Sequence, residues 1–245
     1  MKNNWTEIIY EIYDFLYWEP QHIWKIKNKD SKINSVEKSL NHIKNIEVSL
    51  NQILKIFFYF LPNNIFKSFI NLKWKKDLLE DNYFFYLKEI EELINWVNWA
   101  TQPDFFFIWE KSNIFIEMKI NSKSSLEQLM KYIFLHIKDC ERTGEDKKLI
   151  LIFLAKWNFK NLFKEKYKDI WELKKEFQEF NIPKITKKWN NNLEKYFKKI
   201  KEIWKDMEID FINYWEFKNF CIKNKNSNEK LFSWIIDELD NRKLV

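Results

Sequence analysis

Residues 102–132, QPDFFFIWEKSNIFIEMKINSKSSLEQLMKY, decide the fold of this chain. Two runs within them, Asp104–Trp109 and Ile114–Ile120, are almost continuously apolar, which is typical of buried strands. The polar residues 110–113 between the two runs predict a tight antiparallel turn. We therefore expect a hairpin whose two faces are both covered by other parts of the chain.

A helix and a further strand are predicted after this hairpin. Ser124 and Ser125 each fit a capping box with the Glu or Gln side chain three residues on, so a helix should begin there and run to about Asp139. The apolar run Leu149–Leu154 then predicts a central strand, parallel to an earlier one and reached over the helix. The predicted buried stripe of the helix comprises Leu126, Leu129, Met130, Ile133, Phe134 and Ile137.

The flanking regions are predicted to be mostly helical. Residues 35–61 carry an apolar stripe at helical spacing, and residues 65–92 predict further helix. The segment Leu93–Thr101 alternates between apolar and polar residues and predicts a strand. Beyond residue 157 the chain is rich in lysine with helical spacing, and a short strand is predicted at Glu208–Ile212.

Composition limits the class of protein. Hydrophobic residues make up 46% of the chain and charged residues 32%, which allows a folded core under a charged surface. The net charge of +6 suits a nucleic-acid partner, but a solvated lysine-rich surface explains it equally well. The only arginines are Arg142 and Arg242, so bidentate contacts to phosphate or guanine should be nearly absent.

The sequence also bears on the compartment. Cys140 and Cys221 are too few and too far apart for a disulfide framework, which favours a reducing cytoplasm. The longest apolar run is far shorter than the roughly 20 residues of a membrane-spanning helix, and the first residues lack the apolar core of a signal peptide. We expect a cytoplasmic protein without a membrane segment.

Three polar residues interrupt the predicted hairpin: Asp104, Glu117 and Lys119. A turn of two or four residues places all three on one face, with Asp104 close to Lys119 and diagonal to Glu117. Ile114, Ile116 and Met118 then point to the other face, where the helix is expected to cover them.

Two carboxylates this close repel each other unless a cation lies between them. Lys119 supplies that charge in a purely structural arrangement. A divalent ion that prefers oxygen ligands, Mg²⁺ or Mn²⁺, supplies it in a catalytic one.

These residues resemble the motifs of a known superfamily. Pro103-Asp104 followed by Glu117-Met118-Lys119 is similar to the signature of the PD-(D/E)XK nucleases. The later Gln128-Leu-Met-Lys-Tyr132 resembles the Q-x-x-x-Y motif of the RecB-like and related exonuclease branches. The resemblance covers residues 80–156, about a third of the chain.

The resemblance implies an α/β fold with a restriction-endonuclease-like core, a small mixed sheet flanked by helices. Residues 80–156 would form that core in the order αβββαβ. Residues 1–79 would be a helical N-terminal region packed on it, and residues 157–245 a mostly helical, lysine-rich C-terminal region.

The resemblance also implies roles for residues. Asp104, Glu117 and the backbone carbonyl of Met118 would bind Mg²⁺ or Mn²⁺, and Lys119 would be the catalytic lysine. Gln128 and Tyr132 would face the nucleic acid or support the site. A further acidic ligand would come from the preceding helix, where the sequence leaves a choice among Glu89, Glu91 and Glu92.

Other sequence features carry less information. The E-x-K pattern recurs at Glu145-Asp-Lys147 and Glu172-Leu-Lys174, but only Glu117 and Lys119 lie within an apolar strand. His136 continues the row of Gln128 and Tyr132 by four residues, so it is a weak candidate for substrate contact beside the more common alternative of an ordinary histidine.

Three functions remain open at this stage. One is a Mg²⁺-dependent nuclease that hydrolyses DNA, in bacterial or phage defence or in repair. The second is a catalytically inactive protein of nuclease fold that acts as an inhibitor or adaptor by binding nucleic acid or protein. The third is a helical scaffold that does not bind nucleic acid. The sequence does not distinguish endonuclease from exonuclease action, or DNA from RNA as the substrate. It also leaves open whether a protein partner or a second copy of the chain is involved.

Overall fold

The computed structural model describes residues 47–73, 83–85, 103–109, 111–120, 122–156, 158–163, 166–179 and 196–245. The chain divides into two compact units, each treated by itself below. Lys67–Asn213 form the sheet unit, and Met1–Phe66 with Tyr214–Val245 form the helical unit.

In chain order the described elements are α1 (Glu47–Phe60), α2 (Asn63–Ile70), β1 (Tyr83–Phe85), β2 (Phe105–Trp109), β3 (Ser112–Lys119), α3 (Leu126–Thr143), β4 (Lys148–Ala155), α4 (Phe159–Leu162), α5 (Ile170–Glu179), α6 (Phe197–Asp206), β5 (Glu208–Asn213), α7 (Tyr214–Asn224), a 3₁₀ turn (Lys225–Ser227) and α8 (Glu229–Asn241).

The sheet unit is built on a mixed five-stranded sheet in which neighbours in sequence are neighbours in space, from β1 to β5. The first three strands pair antiparallel and the last three pair parallel. Helices flank this sheet, so the predicted α/β class with a small mixed sheet is confirmed. The sheet extends beyond the predicted core of residues 80–156, because β5 pairs with β4 as a fifth strand.

The predicted hairpin is present. Trp109 pairs with Ser112, so only two residues connect β2 to β3. Every residue of both strands is buried. The continuous apolar runs therefore indicated correctly that both faces of the hairpin are covered.

The helix after the hairpin begins where the sequence predicts. Ser125 is its N-cap, and the Ser125 hydroxyl accepts a hydrogen bond from the backbone N–H of Gln128 at 3.2 Å. The helix runs four residues beyond the expected end at Asp139, to Thr143. It ends there because Gly144 adopts the left-handed conformation, with φ of 71°, and returns its N–H to the carbonyl of Cys140.

The strand β4 lies parallel to β3, with Ser112 opposite Lys148 and Lys119 opposite Ala155, as predicted. The connection passes over α3, the arrangement that parallel neighbours require. The short strand predicted at Glu208–Ile212 is also present, as β5.

One prediction about the faces of the hairpin is wrong. The helix α3 covers the face that carries Phe115 and Glu117, not the face of Ile114, Ile116 and Met118. Both faces of β3 are buried, so burial of the strand alone did not indicate which face α3 would cover. The buried carboxylate of Glu117 needs hydrogen-bond donors, and Gln128 on α3 supplies one.

A second correction concerns Tyr83–Phe85. Helix was predicted over residues 65–92, but these three aromatic residues form β1, with Tyr83 opposite Trp109. Aromatic residues favour strands when a partner strand is present, and β2 provides that partner. The strand predicted at Leu93–Thr101 lies outside the described residues.

Two further helices complete the core on the α3 side of the sheet. Phe177 of α5 stacks on Trp204 of α6, with ring centroids 3.9 Å apart. Both residues belong to the apolar cluster that contains Leu129 and Ile133 of α3 and Leu151 of β4. This packing fixes α3 against the sheet, and α3 carries part of the candidate site.

The helical unit has its own aromatic core. Phe57 of α1 makes edge-to-face contacts with Phe217 of α7 and Phe232 of α8, at centroid distances of 5.7 and 5.5 Å. The helix predicted over residues 35–61 is described from Glu47 to Phe60. Among the helices of the described ranges, none has the length and apolar character needed to cross a membrane.

Candidate active site

Five of the predicted site residues converge at the edge of the sheet where β3 ends. We call them the Glu117 cluster: Asp104, Glu117, Lys119, Gln128 and Tyr132. Asp104 lies just before β2, two members lie at the end of β3, and two lie in the first turns of α3. The hairpin and the crossover helix are therefore both needed to assemble the cluster.

Glu117 is at the centre of the cluster and is only 3% exposed. Its Oε1 atom lies 2.5 Å from Lys119 Nζ and accepts a hydrogen bond from Gln128 Nε2 at 2.7 Å. Its Oε2 atom accepts a hydrogen bond from the Tyr132 hydroxyl. A carboxylate has about four lone-pair sites, so these three donors leave it with capacity for one more partner.

Asp104 lies level with Glu117 across the hairpin. The register pairs Phe105 with Ile116, and continuing it by one residue places Asp104 opposite Glu117. The expectation that Asp104 would be closer to Lys119 was wrong because of the position of the turn: Trp109 pairs with Ser112, whereas a turn centred on residues 110–113 would have placed Asp104 opposite Lys119. The Asp104 Oδ2 atom accepts a hydrogen bond from the backbone N–H of Met118 at 2.7 Å.

Tyr132 is fully buried and is held as a hydrogen-bond donor. Burial raises the pKa of Tyr132 well above its usual range, and the negative charges of Glu117 and Asp104 raise it further. The phenol therefore stays protonated and donates to Glu117. Its oxygen accepts in turn from Gln128 Nε2 at 2.7 Å.

Gln128 connects the cluster to the loop before α3. Its Nε2 atom donates to both Glu117 and Tyr132, while its Oε1 atom accepts from the Ser124 hydroxyl at 3.3 Å. Ser124 is itself buried. The amide orientation is therefore fixed at both of its ends.

The donor set at this edge suits a hard divalent cation. In an extended strand the N–H and C=O of one residue point to the same side, so the Met118 carbonyl faces the side on which Met118 N–H meets Asp104. Two carboxylates and one carbonyl are all oxygen donors, and Mg²⁺ is commonly bound by one or two carboxylates with water completing its shell.

A larger protein ligand set is not found. Within the ranges that the structure describes, no three or more His, Cys, Asp and Glu side chains are grouped to hold a metal ion. The three candidates for a further acidic ligand, Glu89, Glu91 and Glu92, lie outside the described residues. The roles of the metal ligands therefore stay predictions.

The E-x-K matches at Glu145 and Glu172 do not form comparable groups, and a further match, Glu216-Phe-Lys218, lies in the helix α7. Glu145 pairs with Lys147 at 2.7 Å in the loop before β4, at the opposite edge of the sheet. Lys174 donates to the backbone carbonyl of Met207 at 2.7 Å, while Glu172 accepts from the backbone N–H of Lys168. Only the Glu117 motif combines with a second carboxylate across a hairpin.

His136 lies at the other end of the contact between β3 and α3. We call its surroundings the His136 cluster: Asn113, His136, Asp139 and Arg142. Asn113 Nδ2 lies 3.1 Å from His136 Nδ1 and donates to Asp139 Oδ2 at 2.9 Å, while Arg142 Nη2 donates to Asp139 Oδ1 at 2.9 Å. Asn113 is four residues from Glu117, a distance of about 13 Å along a strand.

His136 is only 2% exposed, and the structure does not bring it to the Glu117 cluster. Burial lowers the pKa of His136 to about 4, although the charges of Asp139 and Asp146 act in the opposite direction. The imidazole is therefore neutral near pH 7. Asn113 donates to its Nδ1 atom, which leaves the proton on Nε2.

Sequence reasoning missed Asn113 and Asp139. A signal was present for each: Asn113 interrupts the same apolar strand as Glu117 and shares its face, and Asp139 lies three residues from His136 on one side of α3. Ser124 was read as a capping residue, whereas Ser125 is the cap and Ser124 contacts Gln128.

No protein-family model matches the chain, and searches of curated proteins and of solved structures gave no match either.

Proposed function

We propose that this protein is a nuclease that uses Mg²⁺ or Mn²⁺ to hydrolyse phosphodiester bonds of DNA, on a restriction-endonuclease-like core. The observation that carries the proposal is the Glu117 cluster itself. Two carboxylates, a lysine, an amide and a phenol from three separate segments meet where β3 ends.

The burial of these groups supports a functional role. Glu117 and Lys119 are 3% and 8% exposed, and a buried ion pair gives little net stability compared with apolar residues of similar volume. A purely structural role would be served as well by an uncharged pair. The cost of burying them is better explained when they act on a substrate or on a metal.

The proposed division of labour follows the contacts. Asp104, Glu117 and the Met118 carbonyl would hold the ion, which lowers the pKa of a bound water and stabilises charge on a phosphate. Lys119, already within 2.5 Å of Glu117, would hold the scissile phosphate or orient the attacking water. Gln128 and Tyr132 would hold the Glu117 carboxylate in position through their hydrogen bonds.

The test uses the repeated E-x-K motif as its own control. Glu117→Gln and Lys119→Ala should each lower DNA cleavage in Mg²⁺ or Mn²⁺ by at least about a hundredfold, the usual effect of removing one electrostatic group from an active site. Glu145→Gln and Glu172→Gln change the same residue type in the same motif and should leave cleavage unchanged. Circular dichroism establishes that each variant is folded.

Cleavage that survives in both Asp104→Ala and Lys119→Ala would contradict the site assignment. Loss of cleavage in the Glu145 or Glu172 control would show that the motif alone has no diagnostic value. Wild-type protein that cuts DNA equally well in EDTA would contradict the metal requirement.

A second candidate function has one observation in its favour. Both oxygens of Glu117 already have protein partners, including the ion pair with Lys119. A carboxylate whose two oxygens are both occupied by protein partners suits a catalytically inactive protein of nuclease fold, which binds nucleic acid or protein as an inhibitor or adaptor. Titration calorimetry with Mn²⁺ separates the two: heat that disappears in Asp104→Asn supports the nuclease, and no heat in the wild type supports the inactive protein.

A further inference from the structure

The edge of the sheet next to the Glu117 cluster carries an exposed group of lysines. Lys123 lies in the loop before α3, Lys156 directly follows β4, and Lys160 lies in α4. All three are exposed. We call them the edge lysines.

Hydrogen bonds join the segments that carry these lysines to the site. The backbone N–H of Lys156 donates to the carbonyl of Lys119 at 3.0 Å, and the N–H of Ser124 donates to the carbonyl of Leu162 at 2.9 Å. Ser124 also contacts Gln128, which contacts Glu117. The edge lysines therefore lie on loops fixed to each other and to the site.

The stretches of sequence around the edge lysines are locally basic. Residues 118–126 and 154–163 contain no Asp or Glu, and the carboxylates on either side of the first stretch are the site residue Glu117 and Glu127, which pairs with Lys131. The opposite edge of the sheet differs, because the cleft there is lined by lysines and carboxylates in equal number. A stretch whose own charged residues are all lysines attracts a polyanion more strongly than a stretch in which the two signs balance.

From this arrangement we infer that the edge lysines bind the phosphate backbone of the DNA strand that enters the site. The inference rests on the proposed function, because it treats DNA as the substrate. Lysine contacts phosphate as a point charge and does not read base edges bidentately. Both arginines of the chain are held in ion pairs on their own helices, Arg142 with Asp139 and Arg242 with Glu238.

The experiment compares two triple variants of equal charge. The edge variant is Lys123→Ala, Lys156→Ala, Lys160→Ala. The control variant is Lys148→Ala, Lys199→Ala, Lys205→Ala, three exposed lysines that line the cleft at the opposite edge. Lys148 and Lys156 are at opposite ends of the same strand, about 26 Å apart. Each triple variant removes three positive charges.

Binding is measured in EDTA with fluorescein-labelled single-stranded DNA and the matching duplex, at several salt concentrations. Each phosphate contact contributes about 0.7 to 0.9 to the slope of log affinity against log salt, so the edge variant should lower that slope by about 2 to 3. The control variant should change it by less than about 1. Replacing the edge lysines with arginine keeps the charge and should preserve the slope.

Equal losses in the two triple variants would reduce the effect to overall charge and overturn the inference. An unchanged slope in the edge variant would overturn it as well. Failure of the proposed nuclease function would be detected separately, as wild-type protein that shows no metal-dependent cleavage of DNA. In that case a selective loss of binding in the edge variant would still establish the surface.

Discussion

The two polar clusters under α3 lie at opposite ends of β3 and differ in how their charges are balanced. In the His136 cluster, Asp139 is matched by Arg142 and the other two members are neutral. In the Glu117 cluster, Lys119 pairs with Glu117, and the second carboxylate, Asp104, accepts a hydrogen bond from the backbone N–H of Met118. Phe115 lies between the two clusters on the same face of the strand, in contact with the ring of Tyr132.

The difference between the two clusters indicates which end of β3 is better suited to metal binding and catalysis. A cluster whose charges are balanced internally holds two elements together and needs no further partner. The Glu117 cluster brings two carboxylates to one end of β3, an arrangement that a bound cation would stabilise. Both clusters position the same helix on the same strand, so their separate roles can be tested by changing one while the other stays intact.

The largest expected effect is on cleavage. The double variant Glu117→Gln, Lys119→Met removes both charges with little change in volume, and it should lower DNA cleavage at least about a hundredfold. The free energy of unfolding should change by less than about 1 kcal/mol, because buried ion pairs contribute little over neutral replacements. Urea unfolding beside a cleavage assay measures both, and a large loss of stability would contradict the comparison.

The next effect concerns pH and the His136 cluster. The folded state holds the pKa of His136 near 4, below the ordinary value of 6.5, so the unfolded chain binds the proton first as the pH falls. The contribution of His136 to the free energy of unfolding should therefore be complete above pH 6.5. As the pH falls towards 4, the free energy of unfolding should decrease by up to about 3 kcal/mol. The difference between wild type and His136→Gln isolates this contribution, and parallel pH profiles would refute it.

A somewhat smaller effect is expected from Asn113→Leu. The leucine removes a donor from both Asp139 and His136, which are 0% and 2% exposed and would lose a hydrogen bond in the core. Leaving buried polar groups without partners should lower the free energy of unfolding by about 2 kcal/mol. Cleavage per folded molecule should be retained, which thermal denaturation and an assay well below the midpoint would check. A hundredfold loss of cleavage in the folded variant would show that the two clusters do not act separately.

The smallest effects are expected at the two caps of α3. Ser125→Ala removes the N-cap beside the Glu117 cluster, and Gly144→Ala places a side chain at φ of 71° beside the His136 cluster. Each should cost about 1 kcal/mol of unfolding free energy. A Cβ at Gly144 would meet no atom within 4 Å, so the cost there is purely conformational. Unequal losses would mean that one end of the helix is held more weakly than the other.

Much of the sheet could be predicted from the sequence, because the signals there are local. Continuous apolar runs gave β2, β3 and β4, and the two serines gave the start of α3, whose end was expected at about Asp139, four residues before Thr143. The strand β1 could not be predicted, since Tyr83–Phe85 becomes a strand only by pairing with β2. The predicted roles of Glu89, Glu91 and Glu92 concern residues outside the described ranges.

By itself, the sequence determined that Glu117 and Lys119 share one face, because alternation along a strand places residues two apart on the same side. The register of the folded hairpin then brings Asp104 opposite Glu117. Only the tertiary structure decided which face α3 covers, and therefore that Gln128 and Tyr132 reach Glu117. Both faces of β3 are buried, so the strand by itself does not show which of them a helix covers. The need of a buried carboxylate for donors, which arises only when the chain is folded, gives the physical reason for the observed choice.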